Sequence, residues 1–229
     1  MESLLEEQYL NEIKEFYKPY FNSMQEVEKF IRNIFKFDWD DRKPRQMIFQ
    51  VQRFVTLANE IDQIRPARDG LRVLFLKCCM ESLATLSKKE NNVFSSEFVS
   101  SFSDEGKNYI LSNFSLSYFS YELNGVEHEE SYDLTIDDFL WIIKKMRDMV
   151  VHDGNYWEMQ IFSHDTDSIW LTHLETDKKL LPENIFDYKD KLTTYHFETT
   201  LQYEKFIYYF VEACIKFINS YIDKTEEKQ

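Results

Sequence analysis

Apolar residues recur along the first 38 positions at the three-to-four spacing of two amphipathic helices. Leu5, Tyr9, Ile13 and Phe16 carry the first stripe. Pro19 interrupts it, and Val27, Phe30, Ile31, Ile34 and Phe35 carry the second. Beyond Asp-Trp-Asp-Asp and Pro44, the positions Ile48, Val51, Phe54, Val55, Ala58 and Ile61 predict a third helix, ended by Pro66. Residues 70–87, GLRVLFLKCCMESLATLS, are apolar around nearly the whole helical circumference, which predicts a central element of a bundle. Cys78, Cys79 and Met80 then read as packing residues. Polar linkers holding Ser95-Ser96 and Ser100-Ser101 follow, with a helix expected near 105–119. The stretch YELNGVEHEESYD reads as an acidic surface loop.

In LTIDDFLWIIKKMRDMVVHDG, Thr135 followed by Asp138 has the form of a capping box, with Asp in place of the usual Glu. A helix is therefore predicted to begin near Ile136. Its buried face is Phe139, Ile142, Ile143, Met146, Met149 and Val150, and Gly154 stands where a left-handed residue would stop it. YWEMQIF and SIWLTHLE then alternate with period two around SHDTDS, which predicts a β-hairpin near 156–175. A long apolar stripe from Phe197 through Leu201, Phe206, Phe210, Val211, Cys214, Ile215 and Ile218 to Ile222 predicts a closing helix. The expected fold class is all-α: a helical bundle with extra N-terminal helices and a small hairpin insertion. It forms one domain over 1–229, with 1–66 as a helical extension and 67–224 as the core.

Composition agrees with this picture. Hydrophobic residues make up 43% of the chain and aromatics 17%, while only four glycines and four prolines punctuate it. No apolar run approaches the roughly 18 residues of a membrane span. The N-terminus, MESLLEEQYL, is acidic and unlike a secretory leader. Three cysteines, two of them adjacent, suit free thiols in a reducing cytoplasm. No cofactor or metal motif is present in the sequence.

Charge is uneven. The net value is −14, yet Arg42, Lys43, Arg45, Arg53, Arg65, Arg68, Arg72 and Lys77 face only Glu60, Asp62 and Asp69 between residues 42 and 77, a local excess of +5. Lys144, Lys145 and Arg147 form a second basic cluster. Such runs are ordinarily solvated helix faces, and the balance neither requires nor forbids an RNA partner.

The candidate chemistry lies at the end of the helix expected from Ile136, in RDMVVHDG. Arg147 and His152 bracket an apolar triplet, and the polar Asp148 follows the arginine. A histidine titrates near neutrality and serves as acid or base. An arginine stays charged and offers phosphate a planar fork of donors. RNA carries its own nucleophile, the 2′-OH, so one residue of each kind is the minimum for cleavage without a metal. Alternatively His152 caps the last turn of its helix and Arg147 pairs with Asp148 or a neighbouring acid. His128, His164, His173 and His196 have no partner at this spacing. Asp137 and Asp138 are better first-turn acids than a catalytic dyad. Tyr156 and Trp157 could stack on a base, or begin the hairpin's buried face.

RDMVVHDG resembles the signature of the HEPN superfamily, an arginine and a polar residue followed a few positions later by histidine. The resemblance is strong over about 136–154, loose over 70–88 and 196–222, and absent elsewhere. It implies an all-α fold and metal-independent endoribonuclease activity, with His152 as general acid/base, Arg147 on the scissile phosphate and Asp148 as the orienting residue. It also implies a homodimer with a composite site, which is one of two ways to bring together residues that lie about 140° apart on an ideal helix. A helix that loosens before Gly154 would be the other way to bring the pair together. Family members include toxins restrained by antitoxins and antiviral defence effectors, so an antitoxin or sensor partner is implied. Others are non-catalytic, and a nucleotide- or protein-binding module is the alternative.

Overall fold

The computed structural model describes residues 2–36, 42–64, 68–123, 126–154, 160–163, 169–176 and 193–226. Among them the N-terminal helices are α1 (Glu2–Tyr17), α2 (Met24–Phe35) and α3 (Lys43–Ile64), with a short 3₁₀ turn, Lys18–Tyr20, carrying Pro19. Their boundaries follow the predicted ones. The central helix α4 (Asp69–Ser87) buries Val73, Leu76, Cys79, Met80, Leu83 and Ala84 and packs against α3. Residues expected as polar linkers form α5 (Asn91–Ser101), and α6 (Asp104–Asn113) follows it.

The body is mainly helical, as expected, but the strands make more than a hairpin. The helix expected near 105–119 ends at Asn113, and Phe114–Leu123 forms β1. Its alternation explains the change: Phe114, Leu116, Phe119 and Tyr121 are all buried. The expected acidic loop is the second arm of a hairpin, β2 (Val126–Glu130), paired antiparallel with β1. SIWLTHLE does supply a strand, β3 (Trp170–Thr176), but its partner is β4 (Thr193–Thr199), not the segment before SHDTDS. The pairing expected within 156–175 is therefore corrected, and residues 155–159 and 164–168 lie outside the described residues. The sheet has the order β2-β1-β4-β3, each pair antiparallel. Phe197, read as the first position of the closing helix, is a buried strand residue of β4. The helix α8 starts later, at Tyr203–Glu226.

Sheet and helices meet through aromatic rings. Phe114 of β1 lies edge-on to Phe139, 5.2 Å between centroids, and stacks on Phe197 at 5.3 Å. Phe139 in turn contacts Phe206 of α8. Phe139 belongs to α7 (Ile136–Asp153), so the sheet braces one side of the helix carrying the motif while α4 braces another. Buried residues from Ile13 to Ile222 form one cluster. No helix among the described residues is long and apolar enough to cross a membrane.

Candidate active site on the α4–α7 seam

Helix α7 is fixed at both ends by the residues that predicted it. Thr135 Oγ1 accepts from the Asp138 backbone N–H at 3.2 Å, and the Asp138 carboxylate accepts from the Thr135 N–H at 2.9 Å. Tyr132 adds a hydroxyl donor to the same carboxylate, 2.9 Å away. Asp138 is thereby buried with one carboxylate oxygen, Oδ2, accepting from both Thr135 and Tyr132. At the other end Gly154 adopts φ 69° and ψ 13°, a left-handed cap favouring glycine, and its N–H bonds to Met149 O.

Between these caps the helix is unbroken through Asp153, so it does not loosen to bring Arg147 and His152 together. At about 100° per residue the two point some 140° apart, whereas Asp148 and His152, four apart, share the outward face. His152 is exposed in the last turn and has no hydrogen-bond partner among the described residues.

Arg147 is held firmly. One terminal nitrogen donates to Asp148 Oδ1 at 2.8 Å, and the other is in close ion-paired contact with Glu81 of α4. The contact of arginine with Asp148 is the one expected, but Glu81 was not foreseen. The pair is part-exposed, with the Arg147 side chain 21% accessible, which places the guanidinium at the mouth of the seam.

A further residue of the seam stands in the sequence only as one charge of the basic run between residues 42 and 77. Lys77 stands one helical turn before Glu81 and is only 9% exposed. Burial lowers its pKa first of all. Glu81 pulls the value back up, Lys144 and Arg147 push it down, and Asp148 opposes them. The available signal was that Lys77 and Glu81 are an opposite-charge pair at i and i+4 within an otherwise apolar run. Lys144 and Lys145 flank the seam with their ammonium groups 4.6 Å and 5.0 Å from the Trp141 ring centroid.

The other histidines stand apart. His128 stacks on Tyr121 and His196 on Tyr118, both within the sheet. His173 occupies β3 opposite His196 in register, and His164 lies outside the described residues, as do Tyr156 and Trp157. The seam can thus offer a phosphate-sized anion several cations. Comparison with known protein families, with curated proteins and with solved structures yields no match.

Proposed function

We propose that the chain is a HEPN-type, metal-independent endoribonuclease. It would cleave RNA by 2′-OH attack at a composite site built from two copies. The observation that carries this reading is how α7 presents its motif. Arg147 is oriented by two carboxylates, while His152 stands exposed one and a half turns on, facing another direction. One chain offers half a site, and a second copy across the end of α7 would complete it. In that site His152 moves the proton as general acid/base, Arg147 neutralises the phosphorane and Asp148 orients the guanidinium. Such an activity needs restraint, so a toxin or antiviral defence effector of the cytoplasm, with an antitoxin or sensor as partner, is the context we infer.

The test is cleavage of total tRNA and of mixed-sequence single-stranded RNA in excess EDTA by wild type and His152→Ala. The two proteins are first matched in helicity and elution volume. We expect the wild type to cleave and the variant to lose at least about 100-fold, the usual worth of a proton-transfer group. A variant that cleaves like wild type, or a folded dimeric wild type that cleaves neither RNA, would sink the reading.

One observation favours a second reading, a non-catalytic module of the same fold that binds a nucleotide or a protein. Arg147 spends both terminal nitrogens on carboxylates, as a structural tie between α4 and α7 would. Under this reading His152→Ala changes only stability or association.

A further inference from the structure

Lys77 raises a question that the motif does not answer. Lys77 is only 9% exposed, yet its ammonium is not among the buried polar atoms without a partner: the stem is buried and the nitrogen reaches the surface of the seam. Lys77 makes no hydrogen bond or close ion pair among the described residues. The carboxylates nearest in charge, Glu81 and Asp148, are both committed to Arg147. Lys144, one turn before Arg147 on α7, brings a third cation towards the same place. Three cations therefore share two carboxylates, a surplus of one positive charge on a chain whose net charge is −14. A phosphodiester carries a single negative charge, which would balance that surplus and give Lys77 an acceptor.

We propose that Lys77, Lys144 and Arg147 form a phosphodiester-binding site on the α4–α7 seam, which Glu81 holds closed by occupying Arg147 until the ligand displaces it. The proposal deepens the ribonuclease reading and rests on it for the polymeric nature of the ligand. Lys77 is a positioning residue in this arrangement: it anchors the backbone phosphate while His152 acts elsewhere. Glu81 is a competitor for Arg147, so it sets how readily the site opens. A carboxylate and a phosphate make the same fork-to-fork contact with a guanidinium, which is what makes one a substitute for the other.

The experiment is fluorescence anisotropy of a labelled 2′-O-methyl oligonucleotide, which lacks the attacking hydroxyl, with full-length wild type, Lys77→Met and Glu81→Gln. Lys77→Met is expected to weaken binding about tenfold and to flatten the salt dependence by about one unit of slope. Glu81→Gln is expected to tighten binding several-fold, a gain that a folding defect cannot imitate. Millimolar inorganic phosphate should displace the oligonucleotide from the wild type. Unchanged affinity in both variants, binding that survives phosphate, or no binding by the wild type would each overturn the site. Cleavage of ordinary RNA in EDTA separates this proposal from the reading beneath it. If the wild type cleaves while both variants bind and cleave as it does, only the phosphate site fails. If binding depends on Lys77 and Glu81 and nothing is cleaved, the site stands and the ribonuclease fails.

Discussion

Helix α4 begins with one charged cluster and carries another two turns later, and the two are built on opposite terms. At its first residue Asp69 is 1% exposed and accepts the backbone N–H groups of Ile161 and Phe162 at 2.9 Å and 2.8 Å. Arg72 stands 3.5 Å from the other carboxylate oxygen, with its guanidinium 4.1 Å from the Tyr203 ring centroid. The Tyr203 hydroxyl then donates to Asn59. The two opposite charges face each other here, and the cluster stitches α3, α4, α8 and the 160–163 segment together. Around Lys77 and Glu81 the count of partners does not close, and the cluster opens to solvent. Buried charge that is balanced internally holds a fold together. Buried charge with a surplus is placed for something that arrives from outside.

The comparison is broken most severely through Asp69. Asp69→Ala strands Arg72 and leaves two buried N–H groups without acceptors, and we expect a loss of about 3–5 kcal/mol in urea unfolding. A loss below about 1 kcal/mol would mean that this cluster is no more structural than the open one. A smaller effect is expected at the helix that presents Arg147. Thr135→Ala removes one half of the capping box and should cost about 1 kcal/mol in the same measurement. Because the cap lies away from both clusters, binding of the 2′-O-methyl oligonucleotide should be retained. Should binding fall as far as in Lys77→Met, the seam depends on the helix start and not on its own charges.

How much of this was legible in the sequence follows from distance along the chain. Both ends of α7 were readable because Thr135 and Asp138 are three residues apart and Gly154 acts on its own turn. The all-round apolarity of α4 was likewise local. The sheet was misread where partners are remote: β3 pairs with β4, seventeen residues on from its last position, and β1 lies beside β4 across some eighty residues. Nothing in TTYHFET announces β1 as its neighbour, and Phe197 and Leu201 happen to keep helical spacing across the end of β4. The site divided in the same way. Arg147, Asp148 and His152 announced themselves within six residues, whereas Glu81 meets Arg147 from sixty-six positions away. Lys77 was visible only as one charge in a basic run, since its burial depends on the packing of α4 against α7.

The sharpest form of the comparison is a prediction of opposite sign. If Lys77 served the fold as Asp69 does, removing its charge would destabilise the protein. If it is held for a ligand, the unliganded protein bears the cost of a partly desolvated ammonium, and Lys77→Met relieves it. The linear methionine fills the space of the lysine stem, so little packing is lost. We expect a gain of about 0.5–1 kcal/mol at neutral pH in urea unfolding, at the lower end of what replacing buried charge by apolar volume yields. The pH dependence fixes the cause. Burial holds the folded Lys77 pKa below its unfolded value, so between the two the unfolded chain binds more protons and wild-type stability rises with pH. The advantage of Lys77→Met is therefore full below the folded pKa and shrinks as pH climbs through it towards the ordinary lysine range. A variant that is stabilised yet has lost its oligonucleotide would show stability surrendered for binding. A variant destabilised at every pH would make Lys77 a structural cation and erase the difference between the two ends of α4.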